Sequence, residues 1–273
     1  MGSARAKRRE KIRQTGESGV AVKKQVVIGA AAAISLACAG APAAVAAPKG
    51  GFAVFAQCPV HTEGVGGCLY APVGGGYLTL GKTVVPIAKT LVLQAGFLEE
   101  REGVLPLVGA LDGETLTKVG QALPGGLFGR PLDAVTELAA PASSILVSGL
   151  SGEGLALTLP IKVRLVNPLL GAECSIGSNA HPIELNMTTE TSGPLTGNPG
   201  ETTSIERGKI LVMSGVSMVS SGFSVPKAGG CGSAVVDEAV DAKLGLPLSK
   251  STAAAFDMTV ELANASAVES AEG

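Results

Sequence analysis

Apolar and polar residues alternate with a period of two at three places in this 273-residue chain. The clearest run places Leu155, Leu157, Leu159, Ile161, Val163 and Leu165 on one side, with Ala156, Thr158, Lys162 and Arg164 on the other. Ile183, Leu185 and Met187 repeat the pattern, as do Phe256, Met258, Val260 and Leu262 against Asp257, Thr259 and Glu261. Successive side chains of a strand point to opposite faces, so each run predicts a strand with one face in a core. Pro160 has no N–H for a ladder, which predicts an edge or a bulge there, and Asn167-Pro168 ends the strand.

Shorter β-rich runs occupy residues 52–56, 77–85, 90–95, 134–138, 144–147 and 209–220, separated by Gly, Pro and Ser clusters. One helix is predicted over 234–244, with Ser233 as its cap and Gly245 and Pro247 as its stop. A single helix makes no βαβ repeat. The expected architecture is therefore mainly β: one antiparallel sandwich or barrel-like domain with one short helix, spanning residues 47–263. The polar stretch 188–204 has no apolar period and reads as an exposed loop. The small, acidic residues 264–273 are expected to be a disordered tail.

Charge separates the N-terminal segment from the rest. Residues 1–24 hold eight basic and two acidic residues, and 25–47 are uncharged and apolar, passing through Ala44-Val45-Ala46. A basic start, an apolar middle and an A-x-A end describe a secretory signal peptide over 1–46, cleaved between Ala46 and Ala47. The competing readings are a membrane anchor retained through 25–47 and a lipoprotein cut before Cys38. Of 21 basic and 23 acidic residues, cleavage leaves 13 and 21, a net charge of −8. Such a surface has no basic stripe with which to neutralise phosphates, so nucleic acid is not an expected partner.

Four cysteines remain after that cleavage: Cys58, Cys68, Cys174 and Cys231. An even number in an exported chain reads as disulfides, and four allow three pairings. Cys58 and Cys68 bracket a loop whose Gly64, Gly66 and Gly67 let the backbone return on itself. The expected pairs are thus Cys58 with Cys68 and Cys174 with Cys231. Cys58-x-x-His61 followed by Cys68 is the alternative, a partial zinc site lacking an evident fourth ligand, so no metal or cofactor is expected.

Catalytic patterns are sparse. Gly76-Tyr77-Leu78-Thr79-Leu80-Gly81-Lys82-Thr83 fits the letters of a phosphate-binding loop, but β-like residues precede and follow it where a helix is needed. Only His61 and His181 are available as bases for a serine nucleophile, and no G-x-S-x-G elbow accompanies them. The chain has no Trp and two Tyr, which disfavours stacking of sugars. No catalytic residue is assigned.

At Asn167-Pro168-Leu169-Leu170-Gly171, Cys174-Ser175-Ile176-Gly177-Ser178, Val225-Pro226, Gly230-Cys231-Gly232 and Gly245-Leu246-Pro247, the chain resembles a family of uncharacterised actinobacterial secreted proteins. The resemblance implies export and supports the Cys174–Cys231 relationship, and it carries no activity or ligand. The expected function is a secreted or envelope-associated, non-enzymatic β module contacting protein or glycan. An extracytoplasmic carrier of an apolar ligand is second, and an extracellular hydrolase third.

Overall fold

A computed structural model describes residues 46–272. Eight strands form its frame: β1 (Val65–Leu80), β2 (Leu91–Leu98), β3 (Val104–Gly109), β4 (Ser144–Leu146), β5 (Leu155–Val166), β6 (Ile183–Thr188), β7 (Ile210–Ser221) and β8 (Ala253–Asn264). Each pairs antiparallel with the next, and β8 returns to pair with β1, so one sheet closes on itself as an up-and-down barrel. Closure decides between the sandwich and the barrel that the alternation leaves open.

The period-2 pattern is the inside–outside pattern of that barrel. Leu157, Leu159, Ile161, Val163 and Leu165 are all buried, whereas Thr158, Lys162 and Arg164 keep partial exposure; at the start of the strand the expected order is reversed, with Leu155 exposed and Ala156 fully buried. On β6, Ile183, Leu185 and Met187 are fully buried and Glu184 and Asn186 are exposed. Burying each leucine stabilises the fold by about 1.5–3 kcal/mol. An apolar interior with Lys162, Arg164, Glu184 and Asp257 outward is the reverse of a transmembrane barrel, which is apolar outside. No helix among the described residues is long and apolar enough to cross a membrane.

Pro160 lies within a barrel strand rather than at an edge. The neighbour of β5 changes there: the outer strand Asp133–Leu138 pairs with it up to Ile161, and β4 takes over at Leu157. The Pro160 carbonyl accepts from the Ala139 N–H at 2.8 Å, so its missing donor faces the point where one neighbour leaves. Glycine at the turn after β1 has an equally local reason. Gly81 has φ +63°, and the Lys82 N–H beside it donates to the Leu244 carbonyl at 2.6 Å.

Several segments differ from expectation. Residues 52–56 are not a strand: Gly50–Phe55 forms a 3-10 helix, whose three-residue turn puts Phe52 and Phe55 on one buried side. Residues 264–273 are not a frayed tail, since Ala265–Glu269 forms a short helix with Ala265 and Val268 buried. These two pieces pack with Cys58, Cys68, Ile210 and Ala263 as a second apolar cluster outside the barrel wall. The Lys49 N–H donates to the Ala271 carbonyl at 3.1 Å, joining the two ends of the domain. The polar stretch 188–204 holds a small hairpin, Thr191–Ser192 with Leu195–Thr196, followed by Glu201–Ile205, which pairs with β7. All five residues of Glu201–Ile205 are exposed, so no apolar period marked that strand.

Both expected disulfides are present, Cys58–Cys68 and Cys174–Cys231. The first displaces the zinc alternative, because disulfide sulfurs are not thiolate ligands. Disulfides of this kind belong to an oxidising, extracytoplasmic environment. Next to the second lies the helix Ala234–Leu244, capped by Ser233, whose Oγ accepts from the Val236 N–H at 3.4 Å, and ended by left-handed Gly245. Its Asp237 and Asp241 carboxylates accept from the N–H groups of Cys231 and Ala228, each at 2.8 Å, while Val240 and Leu244 enter the main core.

Candidate functional site

Two candidate places for a ligand are the barrel interior and the seam between β6 and β7. Leu69, Val73, Leu93, Leu157, Met187 and Phe256 are among the residues around the interior space, and Thr136 is its one polar residue. The space measures about 40 Å³. A void of that size takes a water-sized body, whereas small-molecule sites run to about 300–1,000 Å³. In an eight-stranded barrel, side chains either fill the interior or leave room for one small ligand, and here they fill it.

The seam is the pair β6 and β7. Their pairing is confined to Thr188 opposite Val219, whereas β6 pairs with β5, and β7 with β8, along most of their length. From Thr188 back toward Pro182, and from Val219 on toward Ser224, the strands border a groove of about 230 Å³ lined by Pro182, Glu184, Asn186 and residues 220–224. A second groove of about 510 Å³ continues from it, sharing Pro182 and Ser224 and reaching His181, Val225, Pro226 and Pro247. Phe223 and Val225 are buried beneath this surface.

Backbone direction gives the groove its chemistry. Even-numbered residues of β5 face the outer strand, as the Pro160 carbonyl does. Odd-numbered ones therefore face β6, and Ile183, Leu185 and Met187 complete that ladder. Glu184 and Asn186 consequently turn their backbone N–H and C=O groups toward β7, where pairing has already ended. Among the described residues nothing pairs with that edge between Pro182 and Thr188. On the opposite wall the edge is occupied: the Ser221 N–H donates to Ser192 Oγ at 3.0 Å.

The residues singled out from sequence lie elsewhere and are not brought together. His61 is held against the C-terminal helix, with Nε2 3.0 Å from Glu272 Oε2 and Nδ1 3.6 Å from Glu269 Oε1. His181 borders the larger groove in a turn closed by backbone bonds with Ser178, and its own N–H donates to Ser178 Oγ at 3.1 Å. Gly76–Leu80 finishes β1, and Thr83–Pro86 pairs back on it, so the phosphate-loop letters fall on a β-hairpin. Ala46 and Ala47 are exposed ahead of the first 3-10 turn. Cys38 and the rest of the signal segment lie outside the described residues.

Among the described residues no group of three or more His, Cys, Asp or Glu is arranged to hold a metal ion. No family model, curated protein or solved structure matches the chain.

Proposed function

We propose that the chain is an exported, non-catalytic β-barrel module that binds a partner macromolecule, protein or glycan, through the groove at its seam. The observation that carries this reading is the filled interior: about 40 Å³ of space is too little for a bound small molecule and favours a scaffold over a container. The two disulfides and the basic, apolar and A-x-A succession of residues 1–46 support export to the cell surface or beyond. The resemblance to actinobacterial secreted proteins read from the sequence points the same way, since Cys174 and Cys231 fall inside the motifs that carry it.

A second reading, a carrier of a small apolar ligand, draws on one feature. Met187, Met218 and Met258 all line the interior, and unbranched methionines repack readily around a guest. Equilibrium dialysis of the oxidised protein against palmitate separates the two. The module reading predicts no stoichiometric uptake; one-to-one uptake would overturn it in favour of the carrier.

A further inference from the structure

We infer that the seam groove takes an extended peptide of a partner protein, which adds as a short strand to β6 and presents a basic residue to Glu184. This rests on the reading of the barrel as an interaction module and names its partner. Three observations converge on it. The first is the orientation of Glu184 and Asn186, whose N–H and C=O groups point into the groove from alternate positions of one strand, with no pairing on that side. Two donor–acceptor pairs spaced two residues apart match an extended backbone, and a sugar or an apolar ligand has no such repeat.

The second is the absence of competition for this edge from the fold itself. The segment following β6 crosses to cover β7, through the Asn198–Ser217 bridge and the ladder of Glu201–Ile205, and leaves β6 uncovered. Unpaired edges invite strand addition, and proteins restrict them by shortness, proline and charge. Pro182 and Thr188 bound this one, limiting it to a few residues, and Glu184 places a negative charge on it. The third is that charge. Glu184 is exposed and forms no ion pair among the described residues; Lys162 and Arg164 on the adjoining strand β5 both bind Glu137, at 3.7 and 2.8 Å. A lysine or arginine directly across an added strand would complement it.

Two other grooves among the described residues lack this combination. One runs along Gly109, Lys118 and Lys162, the other along Gly74, Val216 and Asp257. The second abuts strands paired on both sides, β8 with β1 and β7. Neither joins an unpaired edge to an unpaired charge of this kind.

The test uses the oxidised protein and a blocked peptide of alternating threonine and lysine, followed by amide hydrogen exchange and NMR shifts. In the free protein, Glu184 and Asn186 amides should exchange within about tenfold of an unstructured chain, while Leu185 and Met187 are strongly protected. Peptide should raise protection at Glu184 and Asn186 by about tenfold or more, with shifts centred on them and on residues 220–224. Methylating the peptide backbone nitrogens on its pairing edge should weaken binding by about tenfold or more, a loss that recognition through side chains alone would not produce. Glu184→Lys should weaken the lysine peptide by about fivefold and favour a threonine–glutamate peptide instead.

Protection of Glu184 and Asn186 in dilute free protein would overturn the proposal, as would equal binding of the methylated peptide or no binding of the lysine peptide. Protection that appears only as protein concentration rises, without peptide, would assign the edge to a second copy and also overturn it. Shifts confined to another groove would remove strand addition while leaving the interaction-module reading in place. One-to-one palmitate uptake would remove that broader reading separately.

Discussion

Glu261 shows how one residue's surroundings set a pH dependence. It lies on β8 between Tyr70 and Val212, beside the outer apolar cluster that both join. Burial raises its carboxyl above the ordinary value of 4.5. A raised pKa means that the folded protein binds the proton more tightly than the unfolded chain does. This contribution to stability is fully present below the unfolded value and is lost as pH rises through the folded one. Glu261→Gln should therefore melt higher than the parent at pH 7, with the gap closing as pH falls toward 4. A gap independent of pH would refute the assignment. Inside the wall the expected effect has the other sign. Leu185 is fully buried in the main core, so Leu185→Ala should lose about 2–5 kcal/mol in denaturant titration. A loss within experimental error would mean that β6 does not face the interior.

At the scale of elements, the two disulfides should differ. Cys174 and Cys231 are 57 residues apart and Cys58 and Cys68 are 10 apart. The chain-entropy relation gives about 4 kcal/mol for the long loop and about 3 kcal/mol for the short one. Replacing each pair by alanines and measuring unfolding midpoints should show the larger loss at Cys174–Cys231, and the opposite order would contradict it. Ser233→Ala should cost about 1 kcal/mol by removing the cap of the helix Ala234–Leu244, again read from the unfolding midpoint.

These elements also mark what the sequence makes legible. Period-2 alternation survives wherever one face is buried and the other wet, which is why β5, β6 and β8 stand out. It fails for Glu201–Ile205, wet on both faces, and for β3, where Pro106 interrupts the run. The 3-10 turn and the C-terminal helix each show the i, i+3 pair of small or aromatic apolar residues, Phe52 with Phe55 and Ala265 with Val268. That spacing is too short to outweigh composition. The disulfides are legible because their number and flanking glycines constrain them. The seam is not, since it depends on which strand lies beside β6, and that pairing joins residues 31 positions apart at Thr188 and Val219. Pro182 is its one local trace.

For the whole molecule, closure and filling together assign roles to inside and outside. A closed sheet leaves little edge to aggregate, and a packed interior makes the wall a rigid support for whatever its grooves hold. The outer cluster ties the first turn and the last helix to β1, β7 and β8, while Cys174–Cys231 ties the loops beyond β5 to the helix Ala234–Leu244. The proposed site lies at the seam, one of the places where wall pairing narrows to a single residue pair, close to the loops that Cys174–Cys231 joins to the helix Ala234–Leu244.

The most direct measurement of this account is the intact mass of the protein recovered from its own host, under native and denaturing conditions, with and without reductant. The account predicts a chain beginning at Ala47, four hydrogens lighter before reduction, with the same mass under native and denaturing conditions. A chain retaining residues 1–46, or an apolar adduct that leaves on denaturation, would contradict it.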